Sequence, residues 1–301
     1  MSSVLAAPPV SQPTQIHPTA FVDPSSRLGQ GVIVEAYVHV GPNCDIGPAT
    51  RLRTRSVIVE HTTMGAGNDV HPYAVLGGDP QDRSFDPARR GELIIGDRNT
   101  FREGVTLSRG NWNGPPTRIG SNCYVMSQAH VGHNASVGDN VVMANGASLA
   151  GHARVAANVT LSAFSCVHQF TDVGEGVMFR GGAMVSMHVP PYVVLAGENF
   201  VAGLNAVGLK RNQQITATDR DEIKRVFRAV YRDRGGTPLR EVLEALRAHP
   251  WGAPAQRFLA FIDTALAMEK PRSRGICGGR KHRIRARTLI STLSDTTPVD
   301  G

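Results

Sequence analysis

The 301-residue chain has four cysteines, Cys44, Cys123, Cys166 and Cys277, and no CxxC pair among them. That spacing excludes the paired-thiol zinc and redox motifs, and the cysteines read as small apolar residues with reduced thiols. No apolar run approaches the roughly 18 residues that a membrane-spanning helix needs. The opening stretch MSSVLAAPPVSQPTQ has no basic residue ahead of its short apolar run, which Pro8 and Pro9 break. A secretory signal is therefore not expected, and the expected location is the cytoplasm. Acid is missing from residues 270–287, KPRSRGICGGRKHRIRAR, which hold eight Lys/Arg. Set against Asp295 and Asp300, these leave +6 of the total charge of +7 on residues 270–301 and only +1 on residues 1–269. A body this close to neutral lacks the basic face of a nucleic-acid-binding protein, and no nucleic-acid partner is expected. Residues 1–15 and 270–301 read as flexible ends. Weak contact with an acidic membrane surface or an acidic carrier protein is the expected use of the basic one.

What the sequence does contain is a period of six. Counting from Ile16 gives Val22, Leu28, Val34, Val40, Ile46, Leu52, Ile58, Met64, Val70 and Leu76, eleven aliphatic residues in succession. The register resumes at Ile95, Phe101 and Leu107, and again from Ile119 through Val131, Leu149 and Val167 to Val185. Six fits neither the 3.6-residue period of an amphipathic helix nor the two-residue period of a long strand. It fits a hexapeptide β-helix, in which short parallel strands form the faces of a prism and each aliphatic residue points inward. Solenoids of this class are left-handed, an exception to the usual right-handed crossover. Three hexads close one coil, so residues 18 apart stack at about 4.7–4.9 Å.

The expected organisation is an all-β left-handed parallel β-helix over 16–208, interrupted by loops at 77–94 and 108–118, then a small α-helical domain over 209–269. Helical spacing in DEIKRVFRAVYR and QRFLAFIDTALAM supports the second part, and TPLREVLEALRAH offers Thr237 as N-cap with Pro238 at the first helical position.

The 18-residue rule places His133 in a column with Gly151 and Gln169, and Asn134 in a column with His152 and Phe170. His168 lies beside Gln169, so three histidines from successive coils gather near one corner. His130 falls at the last position of its hexad, where the column does not fix its direction. Histidine is the usual general base near neutral pH, and a base needs a donor nearby for the charge it creates. Gly151, one rung from His133, offers an unobstructed N–H. The pair suits acyl transfer: His133 takes a hydroxyl proton, the oxygen attacks a thioester, and Gly151 N–H holds the oxyanion. The competing reading is a catalytic zinc held by three imidazoles, as in hexapeptide β-helices of the gamma carbonic anhydrase type. Those enzymes lack the two long loops and the helical tail of this chain, so no metal is expected.

AHVGHNASVG, ANGASLAGH, VHQF, VPPYVVLAGEN and GLNAVGLKR, in this order and with GDPQD and IGDRNTFREGVTLSRG before them, resemble the UDP-N-acetylglucosamine acyltransferases of lipid A biosynthesis. The resemblance covers about residues 15–265. It implies transfer of a 3-hydroxyacyl group from acyl carrier protein to the 3-hydroxyl of UDP-N-acetylglucosamine, with no cofactor beyond the thioester donor, in a homotrimer with sites in clefts between subunits. Carried over, His133 is the general base and Gly151 the oxyanion donor. Gln81 and Asp82 belong to the loop that meets the sugar nucleotide. His130, His152, His168, Gln169, Asn205 and Arg211 are substrate-binding positions, and Gly181 stands where side-chain size limits acyl length. Arg211 suits a diphosphate, which favours a planar cationic fork.

The sequence departs from that family in three places. The family usually has Asp after the catalytic His, where this chain has Asn134. An amide orients an imidazole without offsetting its positive charge, so the expectation is a weaker base or a larger share for His152. The basic residue expected two after QD is Ser84, and the tail beyond 270 has no evident counterpart. The alternatives to O-acylation are N-acylation of a 3-amino sugar nucleotide and a non-catalytic paralogue that binds nucleotide sugar or acyl carrier protein.

Overall fold

The computed structural model describes residues 13–279. The described residues form 28 strands, most of them two residues long, followed by four helices. The strands make three parallel sheets of eleven, nine and eight strands, the faces of a prism. The hexad aliphatics fill its interior, and Val40, Ile46, Leu52 and Ile58 have no accessible surface. Three residues after each aliphatic the chain turns a corner, often in the left-handed region, as at Asn43 (φ 56°), Asn134 (φ 58°) and Asn158 (φ 61°). Asn enters that region at little cost. Phe164 and Phe170 occupy equivalent corners, held there by ladders on both sides.

Most paired strands lie 18 residues apart, as in His130↔Ser148 and Ser148↔Cys166. The two interruptions lengthen single coils without breaking the stack: Val75 pairs with Thr106, 31 positions on, and Thr106 with His130, 24 on. Both loops are shorter than expected. Strands at Val75–Gly78 and Leu93–Ile95 leave 79–92 outside the sheet, and strands at Thr106–Ser108 and Thr117–Ile119 leave 109–116. Leu93 and Thr117 are fully buried, which draws the loop ends into the ladder.

The solenoid closes on Val193–Leu195 paired with Val201–Leu204, the one antiparallel pair among the described strands. Helix α1 spans Ala206–Arg211, so helical structure begins before residue 209, the start expected for it. Helices α2 (Ala217–Tyr231), α3 (Leu239–Arg247) and α4 (Ala253–Ala267) follow, with α2 packed on α4. A capping box between Thr216 and Asp219 starts α2. For α3, Pro238 rather than Thr237 holds the N-cap, with no side-chain cap bond, and Thr237 lies in the preceding turn with its N–H on Arg234 O.

Residues 270–279 correct the expectation of a flexible tail from 270. Arg272 donates to Asp172 Oδ1 at 2.5 Å and to His152 O at 2.7 Å. The buried His188 accepts from Asp172 N through Nδ1 and meets Arg272 O through Nε2 at 2.7 Å. Bridges His188↔Ile276 and Phe200↔Gly278 continue the attachment, and Cys277 is fully buried. The basic count misled because Arg272 is partnered by a solenoid carboxylate. The ends expected to be flexible at 1–12 and 280–301 lie outside the described residues, whereas Gln15 already pairs with Ile33. Cys44, Cys123 and Cys277 are buried free thiols, and Cys166 is half-buried. Among the described residues no helix is long and apolar enough to cross a membrane.

Candidate active site

His133 sits between the strand His130–Val131 and the corner residue Asn134. Val131 points into the prism with no accessible surface, which fixes the backbone from which the imidazole leaves. Nδ1 of His133 lies 2.7 Å from Asn134 Oδ1. The other ring edge lies over Gly151: a Cβ there would be 2.6 Å from His133 Nε2, so only glycine leaves room for the ring. The Gly151 N–H has no acceptor among the described residues. His152 meets His133 edge to face at 5.2 Å between centroids and stacks on Phe170 at 4.6 Å.

Asn134 is buried, and four groups take the whole hydrogen-bonding capacity of its side chain. Besides His133 Nδ1, Oδ1 accepts from Asn111 N at 3.1 Å. Nδ2 donates to Asn111 O at 3.1 Å and Pro115 O at 2.5 Å, both on the second loop. Thr117 Oγ1 accepts from Asn134 N at 2.8 Å. The Asn111 side chain reaches back to Asp82 Oδ2 at 3.2 Å. The Ser84 N–H and hydroxyl, with smaller help from Asn111 and His133, hold the Asp82 carboxyl below its ordinary value.

A cavity of about 690 Å³ opens beside this group. Gln81, His130, His133, Gly151, His168 and Gln169 line it, six of the residues singled out from sequence. Ala150, Cys166 and Met184, which keep accessible surface, give it an apolar wall. His130 therefore faces the same space as His133; its Nδ1 lies 2.8 Å from Thr106 Oγ1, and burial pushes its pKa down. Burial, then the charges of His133 and Arg272, push His152 below its ordinary value, which disfavours its charged form.

Three sequence candidates lie elsewhere. Asn205 and Arg211 line a second cavity of about 520 Å³ at the corner formed by Asn140, Asn158 and Gly176, and Asn205 caps α1 through its side chain. Gly181 is exposed and outside both cavities. Asn111 and Arg272 join the site without having been singled out, since loop and tail residues carry no hexad register, and Thr106 reaches His130 across a lengthened coil of 24 residues instead of 18. Among the described residues no three His, Cys, Asp or Glu side chains are placed to hold a metal ion; His133 and His152 meet edge to face rather than converging on a point.

A half-buried imidazole on the face of a parallel β-solenoid, above a backbone N–H and beside an apolar wall, defines a transferase of the hexapeptide-repeat class. The family profile described as bacterial transferase hexapeptide (six repeats) matches residues 116–151. The profile described as UDP-N-acetylglucosamine O-acyltransferase, domain 2, matches residues 188–277 and so gives 271–277 a family counterpart. A relative from Syntrophobacter fumaroxidans, named acyl-[acyl-carrier-protein]–UDP-N-acetylglucosamine O-acyltransferase, is 40% identical over 237 residues, 77% of this chain and 90% of that one. One of the same name from Herminiimonas arsenicoxydans is 39% identical over 261 residues, 83% of this chain and 97% of that one. The solved UDP-N-acetylglucosamine acyltransferase from Campylobacter jejuni superposes with a TM-score of 0.80 at 30% identity, over 88% of this chain and 100% of that one. The chain belongs to the UDP-N-acetylglucosamine O-acyltransferase family.

Proposed function

We propose that the protein transfers a 3-hydroxyacyl group from acyl carrier protein to the 3-hydroxyl of UDP-N-acetylglucosamine, the reaction that opens lipid A biosynthesis. The observation that carries this reading is the His133–Gly151 pair: an imidazole with Nδ1 held by Asn134, lying over a glycine whose N–H has no other acceptor. With Nδ1–H donated to Asn134 Oδ1, Nε2 is left bare and takes the proton of the sugar hydroxyl as its oxygen bonds to the thioester carbon. The carbonyl oxygen becomes an oxyanion that the Gly151 N–H receives. Collapse breaks the carbon–sulfur bond, and the departing thiolate recovers the proton from His133. The apolar wall at Ala150, Cys166 and Met184 suits an acyl chain.

Because Asn205 and Arg211 stand at a different corner from His133, we place the complete site in a cleft between subunits of a homotrimer, where a neighbour supplies them. Both proposed substrates are water-soluble, which supports a cytoplasmic location. Any membrane contact through the basic end falls on residues 280–301, outside the described residues. The test is acyl transfer from 3-hydroxyacyl carrier proteins of graded length, with UDP-N-acetylglucosamine and its 3-amino analogue in competition. Ester on the first acceptor is expected; amide on the second alone reassigns the chain as an N-acyltransferase, and binding without product makes it a non-catalytic paralogue.

A further inference from the structure

The four hydrogen bonds of the Asn134 side chain settle which way its amide faces. Asn111 N is a donor and must meet the oxygen, while Asn111 O and Pro115 O are acceptors and must meet the nitrogen. A flip of the amide would set an N–H₂ against an N–H and an oxygen against two carbonyls. The oxygen therefore points at His133 Nδ1, which is left no role except donor. The loop that supplies these groups lies tight over the amide: a Cβ on Gly110 would be 3.1 Å from Asn134 Nδ2, and one on Gly114 2.8 Å.

From this we infer that Asn134 is a positioning residue selected by the second loop: its amide fixes His133 as the Nδ1–H tautomer while donating to the Asn111 and Pro115 carbonyls, and a carboxylate in this setting cannot do both. The inference deepens the acyl-transfer reading and rests on it for the role of His133. It reverses the expectation that Asn134 is a weakened substitute for the Asp usual in the family. An Asp at 134 would keep the bond to His133 but turn its second oxygen toward the Asn111 and Pro115 carbonyls, buried with no donor between them. Relief requires protonating that Asp or displacing the loop, and with it Asn111, which also holds Asp82. The other titratable groups around position 134 are His133, His152 and Asp82.

The test compares wild type, Asn134→Asp and Asn134→Ala in acyl transfer at pH 8, with melting temperatures from pH 5 to 9. The expected order of kcat is wild type, then Asn134→Ala, then Asn134→Asp, with losses of about tenfold or more and KM within about threefold. A merely structural role would lower the melting temperature and leave kcat of the folded enzyme in place. The Asp at 134 has its carboxyl pKa raised in the fold, so the deficit of Asn134→Asp in melting temperature is smallest at pH 5 and grows as pH rises through that value. Equal or higher kcat in Asn134→Asp with an unchanged melting profile overturns the inference. If neither variant folds, 15N spectra of histidine-labelled wild type decide, with His133→Gln used to assign the ring: a protonated Nδ1 and bare Nε2 support it, and the reverse tautomer overturns it. Wild type without transferase activity sinks the acyl-transfer reading alone, because the melting profiles and the tautomer still judge the clamp.

Discussion

Replacing Gly151 with Ala separates catalysis from stability. The added Cβ would lie 2.6 Å from His133 Nε2, 2.9 Å from Cε1 and 3.2 Å from Cδ2, all on one ring. Ordinary carbon contacts need about 3.5 Å, so the ring must retreat by close to an ångström. Its one hydrogen bond among the described residues is the 2.7 Å contact to Asn134, which that retreat stretches. Misplacing a reacting group by about 1 Å costs on the order of 100-fold in rate. Overpacking costs about 1–3 kcal/mol, but Gly151 is not among the residues with positive φ, and Gly→Ala in a compatible backbone returns about 0.4–1 kcal/mol. The expected outcome is therefore a 100-fold loss of kcat with a melting temperature only a few degrees lower. Initial rates at saturating substrates, beside a thermal melt of the same preparation, measure both. Gly151→Ala with more than half the wild-type kcat would refute the placement of Nε2 over Gly151.

Other outcomes follow from contacts away from the base. Ending the chain after Pro271 removes the Arg272 bonds to Asp172 and His152 O and the bridges at Ile276 and Gly278; Arg272→Ala removes the first two. The point variant should cost about 2–3 kcal/mol, a fall of about 5 °C in melting temperature, and the truncation more; an unchanged melt in both would show that the segment contributes nothing. Burial raises the Asp69 carboxyl, but hydrogen bonds and charge from Arg53, at 2.6 and 2.7 Å, outweigh it and hold the pKa below its ordinary value. The stability from this pair, about 1 kcal/mol, is complete above pH 4 and lost as pH falls through the folded-state pKa, so Asp69→Asn should differ from wild type at pH 7 and converge with it near pH 2. Cys166 lines the cavity, whereas Cys123, its thiol pushed up to about 11, and Cys277, pushed up to about 12, are buried. Thiol alkylation should block acyl transfer, and Cys166→Ala should abolish that sensitivity; persistent sensitivity in the variant would place the reactive thiol elsewhere.

The solenoid was legible because each hexad repeats the same demand, one inward aliphatic, and a parallel ladder turns a spacing of 18 into a column. That arithmetic alone brought His133 to Gly151 and Asn134 to His152. It failed where the chain leaves the repeat. Nothing in NWNGPP shows that Asn111 and the Pro115 carbonyl grip Asn134, because loop groups have no register to count. It gave no direction for His130, which shares the cavity through its contact with Thr106. A run of basic residues read as solvated concealed Arg272, whose partner Asp172 lies 100 positions earlier. Asn205 and Arg211, grouped with the site by resemblance, stand at another corner of the same chain.

The central claim is that His133 is the base for O-acyl transfer, and the most direct measurement is the rate of ester formation on UDP-N-acetylglucosamine by wild type and His133→Ala, with sugar-nucleotide binding followed by calorimetry. The account predicts alkali-labile product from wild type and a loss of about 10²–10⁴-fold in the variant with binding retained. Ester formed at an undiminished rate by His133→Ala would contradict it.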